Sequence, residues 1–134
     1  MRPELQGRAH LTSFGGPLAV LASPLRLTQV LINLVVNAAQ AVSSMERPEP
    51  GRVQVRWLKV GGRGRIEVVD DGPGLPDRVG SEDEILRSTK PKESGTGLGL
   101  WLCRELVAQM GGSLHLSSEA GEGTVARIEL PAAK

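Results

Sequence analysis

The chain has 134 residues, and 16 lysines and arginines against 15 aspartates and glutamates leave a formal charge of +1. That length fits one domain over 1–134, able to bury about two-thirds of its unfolded surface without staples. Near-neutral charge and three aromatics, Phe14, Trp57 and Trp101, supply neither a phosphate-tracking stripe nor a base-stacking platform, so nucleic acid is disfavoured as a partner. The single Cys103 cannot form an internal disulfide and falls in a helical apolar pattern, which reads as core filler in a reducing cytoplasm. No apolar run approaches the ~18 residues of a membrane span. The expectation is a cytoplasmic domain without direct membrane contact, inside a parent protein that could itself be membrane-anchored.

From about Ala9 to Ala22, two short apolar stretches are split by Gly15-Gly16-Pro17, the pattern of a strand pair or of a strand with an extended arm. Ser23-Pro24 then supplies a cap and a first-turn proline, and Leu27, Val30, Leu31, Leu34, Val35, Ala38 and Val42 recur at helical spacing. This predicts a helix over about Pro24 to Met45. Residues 53–60 alternate, Gly61-Gly62-Arg63-Gly64 turns, and 65–70 is apolar again, a hairpin. Twenty residues separate Gly74 from Gly95, charged enough over about 75–96 to be disordered or a functional lid. From Thr96 an amphipathic helix runs to Gly111-Gly112. Residues 113–118 and 124–130 alternate as a last hairpin. The sum is a mostly antiparallel sheet with helices gathered on one face.

Polar residues interrupt these patterns at three places. Asn33 and Asn37 stand one turn apart on the first helix, and Gln29 and Gln40 extend the stripe through an apolar segment. Such amides cost energy unless satisfied, so they face a ligand, a metal or a hydrogen-bonded loop. Asp70 closes a strand before Gly72-Pro73-Gly74, where a carboxylate can accept from an exocyclic amine and glycine lets a flat ring approach, although Asp-Asp-Gly-Pro-Gly is also an ordinary turn. Gly95, Gly97 and Gly99 precede a helix whose free N–H groups suit phosphate. Neither a Walker loop nor a dinucleotide fingerprint accompanies them. Thr89 and Lys90 could add a hydroxyl and an ammonium at a terminal phosphate; a solvated surface lysine is the alternative.

In this order the three segments resemble the ATP-binding catalytic domain of a sensor histidine kinase, in the superfamily shared with DNA gyrase, heat-shock chaperones and mismatch-repair ATPases. The resemblance covers about Pro24 to Pro131. It implies the superfamily's Bergerat ATP-binding fold, an α/β two-layer sandwich with a mixed, mostly antiparallel sheet and helices on one face. It also implies Mg²⁺ on Asn37, adenine read by Asp70 beside Gly72 and Gly74, and phosphates cradled by Gly95-Thr96-Gly97-Leu98-Gly99-Leu100. Ser88-Thr89-Lys90-Pro91 resembles a segment of nitrogen-regulator-like kinases in which the lysine approaches the γ-phosphate, and Thr124 matches a residue whose hydroxyl supports the adenine-binding carboxylate. The implied function is binding of Mg·ATP and donation of its γ-phosphate to a histidine on a separate dimerisation domain, upstream or in trans, with a response regulator downstream.

Departures from the family pattern sharpen this expectation. Asn33 stands where the gyrase-like ATPases carry a water-activating glutamate, and an amide cannot take that proton. Gln40 stands where many sensor kinases place a lysine or arginine, which shifts phosphate contact onto Lys90, so Asn33 and Lys90 are the catalytic candidates. The lid's usual phenylalanines give way to Glu84-Ile-Leu-Arg87. Neither His10 nor His115 has the surroundings of a phosphoacceptor. A stand-alone serine kinase of the anti-sigma-factor type and a degenerate ATP-binding module are the alternatives.

Overall fold

Ser23 and Pro24 start the first helix as their chemistry requires: the Ser23 hydroxyl accepts the Arg26 N–H at 3.3 Å, and proline fills a position whose N–H has no helical partner. This helix, α1, spans Pro24–Ser43. The computed structural model describes residues 9–16, 18–43, 51–72, 99–118 and 123–132, so Ser44 and Met45 of the predicted helix lie outside it. Val30, Leu34, Ala38 and Val42 form the buried stripe. By length and composition α1 could cross a membrane, but its buried stripe belongs to the hydrophobic core, the pattern of a core helix.

Around α1 the strands are β1 (Ala9–Gly15), β2 (Gly51–Val60), β3 (Arg63–Asp70), β4 (Ser113–Ser118) and β5 (Thr124–Pro131), with α2 at Leu100–Gln109. Among the described residues they form a sheet in the order β1-β2-β3-β5-β4. β1 and β2 pair in parallel, which a tight turn cannot connect, and α1 lies in the crossover between them. The remaining pairs are antiparallel. Val60 pairs with Arg63, so the β2–β3 turn is Gly61-Gly62 alone, shorter than the predicted four residues because strand pairing continues up to the glycines.

Of the two readings for 9–22, the strand with an arm is correct. Val20 bridges Ala132, Leu21 donates to the Pro131 carbonyl at 2.8 Å, and Trp57 Nε1 donates to the Gly16 carbonyl at 2.6 Å. A second difference concerns α2, which starts at Leu100 rather than Thr96. Gly99 is its cap, in extended backbone, and receives the N–H groups of Leu102 and Cys103. The helix ends where glycines predicted, with Gly111 at φ 83. Gly111 donates to the Ala108 carbonyl and Gly112 to that of Val107, the paired bonds of a Schellman stop.

One sheet face meets the helices. Val53, Ile66, Val68, Leu114, Ala126, Ile128 and Leu130 pack there with Cys103 and Val107 of α2 and the buried stripe of α1. Burial of each larger side chain contributes about 1.5–3 kcal/mol. The other face is polar at its centre. Glu67, 6% exposed, accepts Arg56 Nε at 2.6 Å on one oxygen and Arg127 Nε at 3.1 Å on the other. Burial pushes its pKa up, but the two guanidiniums together outweigh this and hold it below the ordinary glutamate value.

Candidate functional site

The end of β3 and the start of β5 meet because Asp70 pairs with Thr124. Strand alternation puts Asp70 on the same face of β3 as Ile66 and Val68, toward the helices, where it is 8% exposed. Its Oδ1 accepts the Gly72 N–H at 2.8 Å, and the backbone N–H of Thr124 is a second donor to the carboxylate. Burial nevertheless raises its pKa above the ordinary aspartate value; the two N–H groups oppose that rise and neighbouring Asp71 adds to it. Gly123, before Thr124, is buried at φ 93, and a Cβ there would overlap the Asp70 carbonyl.

Asp70 and Thr124 line a cavity of about 170 Å³, room for a small flat ring system. Leu34, Ala38 and Ala41 of α1 form one wall, Val68, Leu116 and Ala126 of the sheet another, and Leu100 of α2 closes the side. The third polar lining residue is Asn37. Apolar walls with a carboxylate, an amide and a hydroxyl suit a flat heterocycle that presents a donor edge.

Asn33, one turn before Asn37, donates its amide N–H to the Cys103 sulfur at 3.2 Å. Burial pushes the Cys103 thiol up, against a smaller opposing effect of that amide, so the group is a neutral thiol in the core, as core filler should be. Farther along the same helix pair, Arg26 Nη1 donates to Gln109 Oε1 at 2.8 Å. The two contacts fix α2, and thereby Gly99 and Leu100 at its start, against the helix that carries Asn37.

Of the residues singled out from sequence, Asn37, Asp70, Leu100 and Thr124 line one cavity, with Gly72 bonded to Asp70 and Gly99 capping α2. Asn33 is directed at Cys103, and Gln40 is exposed on α1, outside the cavity lining. Gly74, Thr89, Lys90, Gly95, Thr96, Gly97 and Leu98 lie outside the described residues. His115 is exposed on β4 and His10 is in β1. The wall residues Ala38 and Ala41 were not anticipated, although both sit within a turn of Asn37 and are small enough to admit a ring beside it. Among the described residues no group of three His, Cys, Asp or Glu side chains could hold a metal.

Residues 22–134 match the family model for histidine kinase-, DNA gyrase B-, and HSP90-like ATPases. The chain belongs to this family. It is 34% identical over 116 residues to the sensor histidine kinase ZraS of Escherichia coli strain K12, covering 84% of this chain and 23% of that protein. The catalytic domain of histidine kinase ThkA in a nucleotide-free form superposes with a TM-score of 0.73 at 29% identity, over 93% of this chain and 81% of that one. Full-length ShkA, solved in complex with AMPPNP, gives a TM-score of 0.71 at 29% identity, over 96% of this chain and 26% of that one. The expected α/β sandwich is therefore the observed fold, and the chain is homologous to the catalytic domains of sensor histidine kinases. It spans between 15% and 23% of the length of such curated relatives.

Proposed function

We propose that this chain binds Mg·ATP and presents the γ-phosphate to a histidine on a separate dimerisation domain, as the catalytic part of a two-component sensor kinase that acts on a response regulator. The observation that carries the reading is the pairing of Asp70 with Thr124 at a ring-sized cavity that Asn37 also lines. Adenine fits there: its exocyclic amine donates to Asp70, and Leu34, Ala38 and Leu100 cover its apolar surface. The AMPPNP complex of ShkA supports the same ligand class for this chain.

A hard cation prefers oxygen, and Mg²⁺ commonly takes only one or two protein ligands while water and substrate phosphates supply the rest. The amide oxygen of Asn37 fits that demand, and bound Mg²⁺ would offset charge on the phosphates. The other roles belong to the chain itself. N–H groups of Gly95, Gly97 and Gly99 hold phosphate oxygens, and Lys90 with Thr89 holds the terminal one. Asn33, an amide bonded to a thiol, offers no base to activate water, so the γ-phosphate is kept for transfer rather than hydrolysis. In that transfer an imidazole nitrogen bonds to the γ-phosphorus as the bond to the β–γ bridging oxygen breaks, leaving ADP; the chain contributes position and charge. The reading places the domain in the cytoplasm.

Calorimetric titration of the folded chain with ATP, with and without Mg²⁺, tests it. Saturable binding strengthened by Mg²⁺ is expected, and its absence at millimolar nucleotide refutes the proposal.

A further inference from the structure

The face of the sheet turned away from the helices carries a charge pattern that the nucleotide site does not use. Strand register arranges it in rows: Phe14, Arg56, Glu67, Arg127 and His115 in one, Leu58, Arg65, Glu129 and Ser113 in the next, then Val60, Arg63 and Pro131. Each carboxylate is shared by two guanidiniums. Glu67 takes Arg56 and Arg127; Glu129 takes Arg65 at 2.9 Å and Arg63 at 3.8 Å. Both clusters are left net positive. Arg56, Arg65 and Arg127 are held by hydrogen bonds to the glutamates, so their remaining N–H donors are restricted in direction and available to further carboxylates.

Beside this basic strip runs an apolar one. Phe14, Leu58 and Val60 are 54%, 45% and 38% exposed and lie on β1 and β2, whereas most of the charge lies on β3 and β5. Neighbouring strands are about 4.8 Å apart, so the two strips are offset by about the width of one helix. Among the described residues no element packs over either strip.

We propose that this open face is a docking surface for an acidic, amphipathic segment of a partner protein, with its apolar edge on Phe14, Leu58 and Val60 and its carboxylates on Arg56, Arg63, Arg65 and Arg127. Charge complementarity selects the occupant. A nucleic-acid backbone, with charge at every step, would leave the apolar strip unused. A partner with separate acidic and apolar edges satisfies both strips.

Amide spectra of the ¹⁵N-labelled 134-residue chain test this with a synthetic helical peptide bearing leucine along one edge and glutamate along the next. Comparison probes are the same peptide with lysine for glutamate, a mixed-sequence DNA duplex, and vesicles containing phosphatidylglycerol. The glutamate peptide is expected to shift the amides of Phe14, Leu58, Arg65 and Arg127 saturably and to leave those of Asp70 and Thr124 in place. Leu58→Ser with Arg63→Ser should weaken it about tenfold or more. If that pair loses the native spectrum, Phe14→Ser on the exposed edge strand serves for the comparison and should weaken binding in the same direction. Absence of saturable shifts up to about 1 mM peptide overturns the proposal. An equal response to the lysine peptide, an unweakened variant, or tighter binding of duplex or vesicles at this face does the same.

Discussion

In the proposed site Asp70 accepts from the ligand while buried where its charge is disfavoured. Its raised pKa means that the folded chain holds this proton more tightly than the unfolded chain. The associated stability is complete below the unfolded carboxyl range and is lost as pH rises through the raised folded value. Asp70→Asn is therefore expected to keep or slightly raise the melting temperature at neutral pH while weakening ATP binding. It should weaken ATP more than GTP, because the adenine amine loses its acceptor; equal losses in calorimetry would exclude the adenine assignment. Glu67 has the opposite sign. Its lowered pKa gives stability present above the unfolded glutamate range and lost as pH falls through the folded value. Glu67→Gln should cost about 1–2 kcal/mol at neutral pH, since Arg56 and Arg127 are partly solvated, and should flatten the acid limb of a urea-denaturation profile.

Elements with a local signal and the two hairpins between sequence neighbours were legible in the sequence, and contacts between elements far apart in the chain were not. The Ser23-Pro24 start of α1, its apolar period and the Gly111-Gly112 stop of α2 are read from a few adjacent residues each. The arm at 18–22 carries two readings in sequence because its partners, Pro131 and Ala132, are remote from it along the chain. The sequence sets the start of α2 at Thr96, too early, because nothing in the residue pattern marks the extended backbone of Gly99. The same limit applies to the site. Asn37, Asp70 and Thr124 were singled out by residue type and motif, yet support of Asp70 by the backbone N–H of Thr124 and the contact of Asn33 with Cys103 depend on pairings that no short window contains. Two glycines separate these levels experimentally. At Gly111 a Cβ would meet only Pro131, at 3.7 Å, so Gly111→Ala should cost about 1 kcal/mol for its left-handed backbone and leave ATP affinity unchanged. At Gly123 the Cβ would overlap the Asp70 carbonyl, so Gly123→Ala should cost more than about 2 kcal/mol and impair ATP binding as well. Thermal melts and calorimetry on both variants distinguish the two outcomes.

At the scale of the whole molecule, the cavity draws on α1, α2, β3, β4 and β5 together, so a nucleotide that fills it binds the folded chain and not the unfolded one. Mg·ATP at about a hundredfold excess over its dissociation constant should add about 2.7 kcal/mol, a rise in melting temperature on the order of 10 °C. An unchanged melt at saturating nucleotide would argue that the site is not formed from these elements. The strand order carries this further. Among the described strands β5 comes last in sequence but lies between β3 and β4, and it brings Thr124 against Asp70 and Gly123 beneath it. A nascent chain that has made α1 and β3 still lacks the Thr124 and Ala126 side of this cavity until β5 joins the sheet. The cavity is thus a late product of the fold, complete only when β5 has paired with β3.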